Sequence, residues 1–124
     1  MKNRADSILN AKSYEFAIRI VKLSQFLQKE KAENILSKQI LRSGTAIGAL
    51  IRESEFGQSK PDFVNKLSIA LKEANETEYW ICLLRDTDYL ENNLSQSLLT
   101  DCNELISLLI ASIKTVKNKL LNSK

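Results

Sequence analysis

Carboxylates are the only side chains in this sequence whose types and spacing suit acid–base or metal chemistry. Glu73 and Glu76 are three residues apart, as are Asp101 and Glu104, while Glu53 and Glu55 close a helical segment. A three-residue step on a helix puts both groups on one face. Oxygen-only clusters of this kind hold hard divalent cations such as Mg²⁺ or Mn²⁺. A carboxylate metal enzyme built on Glu53, Glu73 and Glu76 is therefore the enzymatic reading to weigh. Against it, the sequence contains no histidine, which removes the commonest general base, the commonest zinc ligand and the Glu-x-x-His pairs of di-iron bundles. No nucleophile elbow, P-loop or dinucleotide fingerprint occurs. Ion pairs with Arg42, Arg52 and Lys72 on a solvated face explain the same carboxylates without chemistry. The expectation is no catalytic residue, no metal, no cofactor and no small-molecule substrate.

Glu78 stands apart, because it falls on the apolar side of its helix beside Ile81 and Cys82, with Arg85 seven residues on. A buried carboxylate without a partner is costly, so it calls for a cation, and Arg42, Arg52 and Arg85 are the candidates. Arg42, Arg52, Glu53, Glu73, Glu76, Glu78 and Arg85 together make the expected structural ion-pair network. Cys82 and Cys102 are too few for a disulfide scaffold and read as small buried hydrophobes. On the basic side, Lys2, Arg4, Arg19, Lys22 and Lys29 are the candidate phosphate contacts. The formal net charge is +3, and residues 1–32 hold seven basic and three acidic side chains, against three and six in residues 61–90. That asymmetry permits an anionic partner, although no recognition motif accompanies it.

These residues must be positioned by helices. A chain of 124 residues with three glycines, one proline and 27% charged side chains has little material for β-turns and suits a single all-α domain spanning 1–124. Periodicity places helices at about 8–30, 34–56, 60–89 and 94–121. In the first, Tyr14, Ala17, Ile18 and Val21 share one side while Phe16, Ile20, Leu23 and Leu27 share the neighbouring side. This apolar surface is wider than one helix of a small bundle needs, so part of it is expected to pack against another subunit. Gly44 and Gly48, beside Ala46 and Ala49, indicate a close approach of another backbone. Gly57 is expected to take the left-handed conformation past a helix end, with Ser59 capping the next helix and Pro61 and Asp62 in its first turn. Asn93 and Gln96 suggest a capping box. A connection this short makes the second and third helices antiparallel neighbours, within an up-down-up-down four-helix bundle. Phe16, Ile20, Ile69, Trp80, Leu83, Ile106 and Ile110 are the candidate subunit or partner interface. The N-terminus lacks the apolar run of a signal peptide and no stretch is long enough to span a membrane, so a cytoplasmic location is expected.

The run Arg42-Ser43-Gly44-Thr45-Ala46-Ile47-Gly48-Ala49, followed by Ile51-Arg52-Glu53, resembles the RSxxSIxANIxE signature of bacterial four-helix-bundle proteins. That family includes the 23S rRNA intervening-sequence proteins. The likeness continues through Asp62-Phe63, Lys66-Leu67-Ser68-Ile69-Ala70, Lys72-Glu73-Ala74 and Glu76-Thr77 to Tyr79-Trp80. The sequence departs from the pattern at Leu50, where the family usually has Asn. It departs again at Lys72-Glu73, where the ribosomal-insert branch has Gly-Ser. Family members are not known as enzymes, and a related member is the accessory protein of diversity-generating retroelements. That protein is a pentameric barrel whose basic surface binds a reverse transcriptase and nucleic acid. The resemblance implies a ring-shaped homo-oligomer, a pentamer by preference. The expected function is a non-enzymatic scaffold or adaptor for RNA, DNA or a ribonucleoprotein partner. The alternative is a protein–protein interaction module without nucleic-acid contact, using the Ile69–Trp80 stripe.

Overall fold

The computed structural model describes residues 4–122, and the side chains of residues 8–122. Among these, the fold is all-α, with four helices: α1 (Arg4–Glu30), α2 (Leu36–Ser54), α3 (Lys60–Asp86) and α4 (Asn92–Asn122). Each helix packs on two others, α1 on α2 and α4, and α3 on α2 and α4; the diagonal pairs do not meet. One apolar core fills the space between them. It is built from Phe16, Ile20, Leu23 and Leu27 of α1, Ile40, Ile47 and Ile51 of α2, Leu67, Ala70, Ala74 and Ile81 of α3, and Leu98, Leu105 and Leu109 of α4.

Helix ends follow from local chemistry. Ser59 caps α3, its hydroxyl accepting from the Asp62 amide at 3.2 Å, with Pro61 in the first turn where no amide hydrogen is needed. The preceding Gly57 does not take a positive φ, contrary to the sequence expectation. The end of α2 instead tightens through three successive short-range bonds, from the amides of Glu55, Phe56 and Gly57 to the carbonyls of Arg52, Glu53 and Ser54. Space there is tight: a Cβ on Gly57 would lie 3.1 Å from the Ser54 carbonyl oxygen and 3.2 Å from Asp62 Oδ2, so a larger residue makes its neighbours give by a few tenths of an ångström. Among the described residues, Ala32 and Asp88 are left-handed. Asp88 closes α3 in a Schellman arrangement, with Tyr89 N bonded to Leu84 O at 2.9 Å and Asp88 N to Arg85 O at 3.1 Å. That stops α3 three residues before the expected end.

Glu33 caps α2 from a distance, its carboxylate accepting from the amides of Ile35 (3.1 Å) and Ser37 (2.8 Å), which moves the helix start to Leu36. The capping box expected at Asn93 is absent. Gln96 reaches Thr100 instead, and the Glu91 carbonyl takes both the amide and the hydroxyl of Ser95.

The α1–α2 seam is where the two helical glycines act. A Cβ on Gly44 would sit 2.8 Å from both γ carbons of Ile20, and one on Gly48 would sit 3.4 Å from the Ser13 carbonyl oxygen. The close approach expected from the sequence is therefore that of α1. The Ser24 hydroxyl donates to Ser37 O at 3.0 Å and the Asn10 amide donates to Glu55 along the same seam. Between α2 and α3, the buried hydroxyls of Ser43 and Thr77 meet at 2.9 Å. Between α3 and α4, the Cys102 thiol donates to Ala74 O at 3.3 Å. The buried hydroxyls and the thiol at these three seams thus each have a partner.

Candidate interaction surface

The seam with α2 decides which side of α1 faces inward. At 100° per residue, Phe16, Ile20, Leu23 and Leu27 form the inner side, and Tyr14, Ile18, Val21 and Gln25 fall opposite it. That outer side would ordinarily be polar. Here Tyr14, Ile18 and Val21 are 60%, 43% and 39% exposed and line a shallow apolar depression with Ala17, Lys22 and Gln25. A second depression adjoins it toward α2, floored by Gly48, Ala17 and Ala49 and bounded by Tyr14, Thr45 and Arg52. The sequence showed both apolar sides of α1 but placed Phe16 and Ile20 at an interface. That is corrected, because they are 2% and 0% exposed and belong to the core. Tyr14, Ile18 and Val21, which that set left out, are among the apolar side chains of α1 that stand exposed.

The remaining interface candidates divide. Ile69 and Ile110 are exposed, Ile106, Leu83 and Trp80 half-buried. Trp80 packs its ring edge-on against Tyr79, 5.2 Å between centroids, and its indole N–H is buried without an acceptor. Ile69, Trp80 and Leu83 follow the α2-facing flank of α3, whereas Ile106 and Ile110 follow the α3-facing flank of α4. These are two surfaces, not one.

Carboxylates expected to carry either chemistry or ion pairs are mostly engaged by cations. Arg42 donates to Glu73 at 2.9 Å and to Glu76, bridging α2 to α3. Burial opposes the Arg42 charge, but those two carboxylates outweigh it and raise its pKa. Glu53 lies 3.9 Å from Lys66 rather than beside an arginine, and Arg85 pairs with its neighbour Asp86. Asp101 holds Arg19 at 2.7 Å, and Glu104 holds Lys12 at 2.9 Å. Arg19 thus ties α1 to α4. Among the described residues no group of three or more His, Cys, Asp or Glu side chains is arranged to hold a metal.

Two members of the expected network are left over. Glu78 is half-buried and Arg52 exposed, and neither has an ion-pair partner among the described residues. Among the described residues no cation meets Glu78, since Arg42 and Arg85 pair with other carboxylates and Arg52 stands apart. Glu78 also stands near Cys102. Burial first, then the Glu78 charge, push the Cys102 thiol up to about 12. Lys22 and Lys29 lie exposed along one flank of the α1 outer face, with no carboxylate bound. Lys2 and the side chain of Arg4 lie outside the described residues. Among those residues no helix is long and apolar enough to cross a membrane.

Residues 5–111 match the family described as 23S rRNA-intervening sequence protein. The chain is also similar to a crystal structure of a protein of unknown function from the S23 ribosomal protein family of Bacteroides thetaiotaomicron VPI-5482. The two share 55% identity at a TM-score of 0.88, over 89% of this chain and 98% of that one. No curated protein matches the chain.

Proposed function

The chain belongs to the 23S rRNA-intervening sequence protein family, and from that premise we propose that it is a non-enzymatic, homo-oligomeric scaffold for RNA, DNA or a ribonucleoprotein partner. The observation that carries this is the outer face of α1. Tyr14, Ile18 and Val21 stand opposite the core on a helix whose inner face is already filled. Fully burying an apolar side chain of this size is worth about 1.5–3 kcal/mol, and covering the exposed part of each of the three gains a second copy a fraction of that. The assembly is a ring, a pentamer by preference, of antiparallel up-down-up-down bundles, and it works in the cytoplasm. In support of the antiparallel reading, the α1–α2 contacts pair Ser13 with Gly48, Ile20 with Gly44 and Ser24 with Ser37, one partner rising as the other falls.

Support for a scaffold over an enzyme comes from the engagement of Glu73, Glu76, Asp101 and Glu104 by arginine and lysine. Support for an anionic partner comes from the unpaired Lys22 and Lys29 and from the names of the family and the related protein, one citing 23S rRNA and the other ribosomal protein S23. A ring repeats the +3 charge in every copy, which strengthens phosphate attraction.

The test is sedimentation velocity on the unmodified protein and on Ile18→Glu, with RNA retention measured across a salt series. The expected result is an assembly that Ile18→Glu breaks into monomers, and RNA binding that weakens with salt and with Lys22→Glu/Lys29→Glu. An unmodified protein that stays monomeric overturns the scaffold. Binding that salt does not affect overturns the phosphate contact.

A further inference from the structure

Two surfaces of the bundle are each incomplete, in complementary ways. The first is the outer face of α1, apolar from Tyr14 to Val21, with the free Arg52 guanidinium at the end nearer Tyr14. The second is the groove between α3 and α4. Glu78 stands there without a cation, one turn after Ala74, whose carbonyl accepts the Cys102 thiol. From Cys102, Ile106 and Ile110 follow at one and two turns along α4, the second of them 50% exposed. Cys102 itself is fully buried, so the accessible strip on α4 runs from Ile106 to Ile110, about 6 Å at 1.5 Å per residue, against about 10 Å from Tyr14 to Val21. The α1 strip carries Arg52 at its end and Lys22 on its flank, the α3/α4 strip carries Glu78, and the charges are opposite in sign.

We propose that the α3/α4 groove of one copy covers the α1 face of the next, with Arg52 supplying in trans the cation that Glu78 lacks. This rests on the homo-oligomer reading above and names its contact. A half-buried carboxylate keeps a cost that a guanidinium relieves well, because the planar fork meets both oxygens. The two patches lie on different helices, so the contact is head-to-tail: every copy uses one surface to give and the other to receive. Removing either patch from all copies then abolishes assembly, whereas removing different patches from two populations leaves one intact contact between them.

The experiment uses Ile18→Glu and Ile110→Arg, each confirmed as folded by circular dichroism, with the milder Ile18→Ser and Ile110→Ser as replacements for a variant that misfolds. Alone, each is expected to run as a 14.1 kDa monomer. Mixed in equal amounts, they are expected to form a one-to-one dimer, read by native mass spectrometry. Glu78→Arg is expected to weaken assembly at least about tenfold, and adding Arg52→Glu in the same chain to restore it to within about threefold. Suppose Ile18→Glu is monomeric while the mixture stays monomeric and Glu78→Arg assembles normally. The head-to-tail pairing is then overturned and the homo-oligomer survives. An unmodified protein that is itself monomeric overturns both.

Discussion

Replacing Gly44 and Gly48 with alanine, one at a time, separates close packing from helix propensity. In an isolated helix both substitutions stabilise by about 1 kcal/mol. In this bundle they meet different surroundings. The new Cβ at position 44 would stand 2.8 Å from both γ carbons of Ile20, where carbon atoms ordinarily rest about 3.5–4.0 Å apart. Ile20 is fully buried and β-branched, so its side chain cannot swing away within the helix. Either α1 retreats by most of an ångström or the core is strained, which costs about 1–3 kcal/mol. Set against the propensity gain, Gly44→Ala is expected to destabilise by up to about 2 kcal/mol. At position 48 the nearest atoms are Ser13 O and Oγ, both at 3.4 Å, an ordinary contact. Gly48→Ala is therefore expected to be neutral or to stabilise by up to about 1 kcal/mol. Urea unfolding followed by circular dichroism at one fixed protein concentration reads the difference, since assembly couples to stability. Ile20→Ala removes the γ carbons, so combining it with Gly44→Ala should recover about 1 kcal/mol or more of the clash. Equal stabilisation by both alanines would refute the close approach of α1 to α2 at Gly44.

The Cys102 thiol yields a pH dependence. Its folded pKa is pushed up to about 12 from 9.0, so the unfolded chain releases this proton first. Its contribution to stability is complete below about pH 9 and is lost as pH rises toward 12, at no more than about 1.4 kcal/mol per pH unit. Cys102→Ala should flatten that part of the stability–pH curve, measured as the difference from the unmodified protein. At the α2–α3 seam, Thr77→Val leaves the Ser43 hydroxyl without its 2.9 Å partner and should cost about 1–3 kcal/mol. Adding Ser43→Ala should return part of that loss in a thermal unfolding cycle.

How much was legible in the sequence depended on how many elements a feature involves. The cap at Ser59 with Pro61 and Asp62 is a property of four neighbouring residues, and it forms as read. The existence of four helices likewise rests on periodicity within each. Gly44 and Gly48 announced a close approach, but not that α1 makes it. Sidedness of α1 was harder, because both of its apolar sides satisfy the helical period. Only the fit of Ile20 against Gly44 selects one of them. Gly57 misled because glycine is used for two reasons, a left-handed turn or tight space, and the second applies here. Glu78 misled through its partner: the residue type said that a cation was needed, and the fold left Arg42 and Arg85 with other carboxylates. The departure at Lys72-Glu73 does not remove the chain from the family, since the match runs across it.

The most direct test is the mass of the native particle at near-physiological salt, over a dilution series. A stable multiple of 14.1 kDa, five by preference, is the expected result, falling to 14.1 kDa when Ile18 is replaced by Glu. A 14.1 kDa particle at every concentration of the unmodified protein would contradict it, and would leave the apolar outer face of α1 without the second copy assigned to it.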